Sequence, residues 1–213
     1  MARSAAYAVR VKEANVQLSR SSGSASGRPL TAGVGLLPMT NSLGLESGVV
    51  RLVEYDTRWP DLFIAEARRI REEVGPLPLH LEHVGGTSIP HMCAKPVLDI
   101  VAGRPPASPI QDYVVALTQA GYDHRGEQGV PGRQFFRRGQ PRAYHLHLVE
   151  EGSLVWSHYL AFRDYLRTHP EASRQFADLK RALAARFPRD REAYINAKSA
   201  RVREILELAA GAT

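Results

Sequence analysis

Cysteine is the rarest residue of this chain, and lysine is scarce among its cations. A single cysteine, Cys93, cannot close an intrachain disulfide, which points to a reducing cytoplasm as the compartment. No run approaches the roughly 18 apolar residues that a membrane span needs, so no membrane partner is expected. Lysine occurs four times, at Lys12, Lys95, Lys180 and Lys198, which leaves 24 arginines (28 − 4) among the basic residues. That skew, together with abundant alanine, reads as compositional bias and not as a basic patch selected for nucleic acid. Of the net charge of +6, residues 1–48 supply +3, from Arg3, Arg10, Lys12, Arg20 and Arg28 against Glu13 and Glu46. A Walker A loop, zinc-finger spacing and a nucleophile elbow are also absent, and the classes they mark are set aside.

What is present suits a globular protein. With 213 residues, 44% hydrophobic and 23% charged, the chain can bury a real core in one compact domain, or in one domain with a helical extension. It divides near residue 48. Ser19 to Ser26 has nothing to bury, and residues 1–48 read as a flexible tail, with Met39 as an alternative translation start. The tail's Arg- and Ser-rich, acid-poor composition is also that of transit peptides, while the apolar run from Gly33 to Met39 is too short for a signal peptide.

Residues 49–149 read as an α/β core. Val49 to Tyr55 alternates like a strand. Pro60 suits a helix start, and Trp59, Phe63, Ile70 and Val74 recur at helical spacing before Gly75. A strand from Leu79 to Val84 runs into Gly85-Gly86-Thr87-Ser88, and Asp99 opens a second apolar strand. Ser108, Pro109 and Gln111 read as N-cap, first helical residue and capping-box partner of a helix that ends at Gly121. Gln134 to Arg138 and Ala143 to Val149 read as a hairpin. Beyond Glu150, helices from Leu154 to His169, Pro170 to Phe187, and Pro188 to about Ala210 are expected to cap this core.

The stretch from Glu82 to Asp99 speaks most directly about chemistry. A glycine turn exposing N–H groups, beside a carboxylate at a strand start, is a geometry that holds a triphosphate and its metal ion. The commoner role of such an aspartate is to cap a turn. Glu82 and His83 lie on opposite faces of their strand, so at most one faces the same cleft. Lys95, fixed by Pro96, can meet a phosphate or remain a solvated lysine. His145 and His147 alternate with Leu146 and Leu148, which puts both imidazoles on one face as metal ligands, as phosphate contacts, or bonded to neighbours. Arg163 and Arg167 share a helix face, as do Arg191, Tyr194, Lys198 and Arg201. Such stripes can hold a nucleotide, the ring on its base and the cations on its phosphates, or simply face solvent.

These segments carry a resemblance. Glu-His-Val-Gly-Gly-Thr-Ser-Ile-Pro, Ala-Lys-Pro-Val-Leu-Asp-Ile, Tyr-His-Leu-His-Leu and Phe-Arg-Asp-Tyr-Leu-Arg, with Tyr194 and Lys198, resemble the GrpB family (UPF0157) in family order over roughly residues 49–210. That family is similar to the nucleotidyltransferase superfamily, which implies a nucleotidyltransferase-like mixed β-sheet flanked by helices, here with a C-terminal helical cap. It also implies a phosphate turn at Gly85, Gly86, Thr87 and Ser88, a first metal carboxylate at Asp99, and His145 or His147 where another carboxylate would sit. Three positions depart from the pattern: Val101 replaces a second carboxylate, Gly86 a serine, and His91 a glycine. A divalent ion held by Asp99, Glu82, His145 and His147 would be manganese or zinc more readily than magnesium. The implied activity is transfer of a nucleoside monophosphate from a nucleotide to an unknown acceptor. The alternative is a non-catalytic nucleotide-binding or partner-stabilising domain, similar to domains fused to dephospho-CoA kinases. A nucleic-acid binder is the least favoured reading.

Overall fold

The computed structural model describes residues 43–211. Helix α1 (Trp59–Val74) carries Pro60 in its first turn and Asp61 beside it, and stops at Gly75, whose N–H donates to the Arg71 carbonyl at 3.1 Å. Its buried residues, Trp59, Glu66, Ala67, Ile70 and Val74, mark one face. There follow β1 (His80–Val84), a single turn of 3-10 helix (Gly86–Ser88), β2 (Leu98–Arg104), α2 (Ile110–Gln119), β3 (Asp123–His124), β4 (Gln134–Arg138) and β5 (Tyr144–Glu150). Three helices close the chain: α3 (Leu154–Thr168), α4 (Pro170–Arg186) and α5 (Arg191–Gly211). Among the described residues no helix is long and apolar enough to cross a membrane.

The five strands form one sheet in the order β1-β2-β5-β4-β3, with β2 and β5 parallel and every other pair antiparallel. Alternation divides the side chains cleanly. On the back face Leu81, Ile100, Ala102, Phe136, Leu146 and Leu148 bury against Ile70 of α1 and Tyr113 and Leu117 of α2. On the front face Val101 and Val149 meet Trp156 of α3 towards one end, and Val84, across from Asp99, joins their cluster. Register places Asp99 opposite His145 at the other end of that face. Helices α4 and α5 close over this polar end: Phe176, Ala177 and Ile205 bury with Ile89, Met92 and Cys93 of the loop after the glycine turn. This is the helix-flanked mixed sheet with a helical cap that the resemblance implied.

Three expectations change. Val49 to Tyr55 is not a strand. It makes one bridge, Val53 with Ala94, and Val50 N–H donates to the Pro188 carbonyl. The sheet's edges are β1 and β3, and this segment runs beside neither, so it has no ladder to join. Ser108 does not cap α2. Its hydroxyl donates to the Pro105 carbonyl at 2.6 Å, Pro109 takes the N-cap position, and no side chain caps the helix. Residues 43–48, read with the tail, belong to the fold: Leu43 and Leu45 are buried, and Leu45 N–H donates to the Arg142 carbonyl. The rest of the expected tail lies outside the described residues.

A buried carboxylate ties α1 to the sheet. Glu66 accepts hydrogen bonds from Tyr122 Oη (2.7 Å), Arg69 Nη2 (2.7 Å) and Arg138 Nη1 (2.6 Å). Removing it leaves two cations and a buried hydroxyl without their acceptor. Glu66→Ala should therefore cost about 3 kcal/mol of unfolding free energy, measured by urea titration. A loss under about 1 kcal/mol would mean that these partners find water instead.

Candidate functional site

The chain turns sharply after β1 because Gly85 adopts φ +72°, a left-handed value that side chains disfavour. A Cβ there would stand 2.6 Å from Asp99 Oδ2, so only glycine lets the turn lie against the carboxylate. The turn is braced from behind. Ser88 Oγ donates to the Gly85 carbonyl (2.7 Å), and Thr87 Oγ1 lies 2.9 Å from His83 Nε2. Arg167 donates to the Ser88 carbonyl at 2.8 and 3.0 Å, and Arg163 to the His83 carbonyl at 3.1 Å. His83, on the back face and stacked on Phe63, is lowered to about 4 by burial and stays neutral.

In front of the turn is a cavity of about 430 Å³. Asp99 lies on one wall, 2.8 Å from His145 Nδ1 and 3.6 Å from His147 Nε2. Burial works to raise its pKa, but the hydrogen bonds and charge of the two histidines overcome this and hold the carboxyl well below the usual range. An ionised carboxylate only accepts, so His145 donates from Nδ1 and keeps a bare Nε2, which is buried without a partner. His147 Nδ1 faces Arg133 Nη1 (3.4 Å) and the Tyr159 hydroxyl (3.0 Å). Because a guanidinium cannot accept, this nitrogen does, and the ring's proton sits on Nε2 towards Asp99. Burial lowers His145 to about 4 despite Asp99, so its imidazole is neutral near pH 7.

Apolar side chains such as Val97, Phe162, Phe176 and Leu206 make up much of the remaining wall, and its charged residues are cationic. Among the described residues Lys95, Lys180, Lys198, Arg133 and Arg191 line the cavity, against Asp99 as its one carboxylate. Lys95 and Lys198 lie 5.3 and 5.6 Å from the centre of the Tyr194 ring. Lys180 comes from the buried face of α4 and donates to the Cys93 carbonyl. A Cβ on Gly86 would stand 2.7 Å from its Nζ, so the second glycine makes room for this lysine. Burial, and then the neighbouring cations, pull Lys95 and Lys180 down to about 7, and Lys198 is lowered for the same reasons.

Of the residues singled out in the sequence, Gly85, Gly86, Thr87, Lys95, Asp99, His145, His147, Arg191, Tyr194 and Lys198 meet at this cavity. Five do not, among them Arg201, which bonds Glu204 and Gln175. Glu82 shares the front face, but its carboxylate is held by Arg163. Arg163 and Arg167 grip the turn's backbone from outside, and the Ser88 hydroxyl is spent on Gly85. Tyr194 is fully buried with two lysines on its ring, which leaves no face for a base. The sequence reading missed Lys180, Arg133 and Tyr159. Lys180 left a trace as the lone cation in the buried set Phe176, Ala177 and Leu183.

A resident divalent ion does not fit this donor set. Both histidines turn their inward nitrogens to one oxygen, Oδ1 of Asp99, and as proton donors to it offer no lone pair there. Val101, at the position of a second acid, is buried in the apolar cluster with Trp156. Among the described residues no three His, Cys, Asp or Glu side chains converge as ligands.

The GrpB protein family model matches residues 49–208. UPF0157 protein PA4798 of Pseudomonas aeruginosa is 39% identical over 169 residues, which is 77% of this chain and 69% of that protein. UPF0157 protein YqkA of Bacillus subtilis is 35% identical over 150 residues, 70% of this chain; the match spans only 44% of YqkA's own length. Among solved structures, conserved protein GrpB from Enterococcus faecalis superposes with a TM-score of 0.69 at 29% identity, covering 75% of this chain and 96% of that one. The sheet, the glycine turn and all of the cap but residues 209–211 lie within the matched span, and the chain belongs to the GrpB family.

Proposed function

We propose that the cavity binds the polyphosphate of a nucleotide. One observation carries this reading: five cationic side chains face a single carboxylate in a partly desolvated space. Uncompensated cations held out of water are costly unless an anion joins them, and two of these lysines already sit near the point of losing their protons. The glycine turn lines the same cavity, as a phosphate-holding turn would. Charge neutralisation, which elsewhere falls to bound metal, is here supplied by the protein's own lysines and arginines.

Nucleotidyl transfer is the second reading, favoured by the Asp99–His145 pair. With its Nδ1–H on Asp99, His145 has a bare Nε2 to accept a proton from an acceptor hydroxyl. The hydroxyl oxygen would bond to the α-phosphorus, the bond to the β-phosphate bridging oxygen would break, and pyrophosphate would leave.

Isothermal titration with inorganic tripolyphosphate and with nucleoside triphosphates tests the first reading. Lys198→Gln should weaken binding about tenfold or more. Equal affinity in the variant, or no binding by the unaltered protein, would sink it. Protonation supplies a second test. Binding should weaken from pH 6.5 to pH 8.5, approaching roughly tenfold per unit for each lysine that must take up a proton. Stability of the unliganded protein should respond in the opposite sense. With Lys95 and Lys180 depressed to about 7 from an ordinary 10.5, the unfolded chain holds more protons across that interval, so their contribution to stability rises with pH. Affinity that increases with pH would exclude lysine protonation as its basis. For transfer, Asp99→Asn should abolish pyrophosphate release from a nucleoside triphosphate while tripolyphosphate still binds; unchanged release would remove the pair from the chemistry.

A further inference from the structure

Next to this cavity lies a second group of cations, of which the polyphosphate reading uses only Arg191. Arg137 stands on β4 directly opposite His145, on the front face, its guanidinium 5.4 Å from the centre of the Phe135 ring. Arg142 lies in the β4–β5 connection and is only 8% exposed. Arg191 opens α5 and also lines the cavity, so the two regions share a wall.

Their hydrogen bonding is incomplete. Arg137 Nε, Arg142 Nε and Nη2, and Arg191 Nε are all buried without a partner. The bare Nε2 of His145 lies beside them in the same condition. A buried donor left unmade costs about 1–3 kcal/mol, and more when it is charged. Burial lowers all three arginines, and neighbouring cations add to it: Arg191 and Arg142 at Arg137, which falls to about 10, Arg191 at Arg142, and Arg133 at Arg191. No nearby carboxylate is spare. Asp99 is taken by the histidines, Asp123 by Arg125, and Asp190 accepts from the Ala193 N–H at the start of α5. The three thus lie close enough to repel one another. Three neighbouring guanidiniums offer several forked donors, which suits a dianion with oxygens on several sides better than a planar monoanion.

We propose that Arg137, Arg142 and Arg191 form a second oxyanion subsite that holds a phosphate group separate from the polyphosphate at the glycine turn. A ligand seated there brings its phosphate to the His145 side of Asp99, so a second substrate or effector of this protein carries a phosphate of its own. The subsite stands whether or not the main cavity takes a nucleotide.

The test is a phosphorus NMR titration of the full chain with inorganic phosphate at constant ionic strength, run with and without saturating tripolyphosphate. One phosphate should bind in both conditions. Arg142→Gln should weaken phosphate at least tenfold and leave tripolyphosphate within about twofold, whereas Lys198→Gln should do the reverse. Unliganded Arg142→Gln should melt no lower than the unaltered protein, because the charge it removes is unpaired, and phosphate should raise the melting temperature of the unaltered protein alone. Equal phosphate affinity in Arg142→Gln and the unaltered protein would overturn the proposal. So would no phosphate binding at tens of millimolar. Displacement of phosphate by tripolyphosphate, one for one, would also overturn it and make the arginines part of a single site. If tripolyphosphate fails to bind at all, the reading of the main cavity falls, while the phosphate titration still reports on the arginines.

Discussion

The charge on Asp99 is what the front of this fold is arranged around. Its carboxylate lies under a glycine that no other residue can replace without collision, and it takes the protons of two imidazoles. Those two contacts decide the tautomers of both histidines, which in turn decide that His145 Nε2 is bare and that His147 Nδ1 accepts from Arg133 and Tyr159. The same charge partly offsets the surrounding cations: it raises Lys95, Lys180, Lys198 and Arg191 against a burial that would otherwise drive them lower still. Neutralising Asp99 would therefore release a whole set of polar orientations, not one hydrogen bond.

The Val101 position explains why this arrangement differs from a metal-bridged one. A second acid two residues along β2 would share a face with Asp99, but that spot belongs to the apolar cluster of Val84, Val149 and Trp156, where an unpaired carboxylate would be strongly disfavoured. Along β2 the front face thus changes within two residues from the carboxylate of Asp99 to a buried valine, although the cross-strand neighbours of Val101 are His147 and Glu82. Cations delivered by the helical cap take over the task of holding negative charge. Lys180 and Lys198 come from α4 and α5, and Arg191 from the first residue of α5. The cap is consequently part of the site and not merely a cover for the sheet.

Much of this was legible in the sequence where local rules dominate. Strand alternation put His145 and His147 on one face, the proline and glycine punctuation placed α1 and the three C-terminal helices, and the glycine turn stood out beside Asp99. Long-range pairing was not legible. Nothing local says that Val49 to Tyr55 finds no ladder, or that Arg163 and Arg167 reach back some 80 residues to the turn's carbonyls (163 − 83) instead of facing a ligand. Tyr194 misled for a related reason: a tyrosine among cations looks like a stacking platform until its ring proves to be buried beneath Lys95 and Lys198. Rarity carried more information than pattern. Three of the four lysines meet in one cavity, although the arginine-rich composition had suggested only bias.

That preference for lysine has a physical basis. An arginine keeps its charge in any cavity, whereas a buried lysine can shed its proton, and Lys95 and Lys180 are tuned to about 7. In the empty cavity their partial neutrality relieves repulsion among cations that burial has pushed together. A polyanion bound there, as proposed, would restore the protons and draw the same groups into full charge. The arginines Arg137, Arg142 and Arg191 have no such release, which is why their orphaned donors remain an open demand for an anion while the lysines adjust. Loading the cavity therefore couples ligand charge, proton uptake and stability through one set of side chains, and the cost of building the site is borne by the free protein and returned on binding.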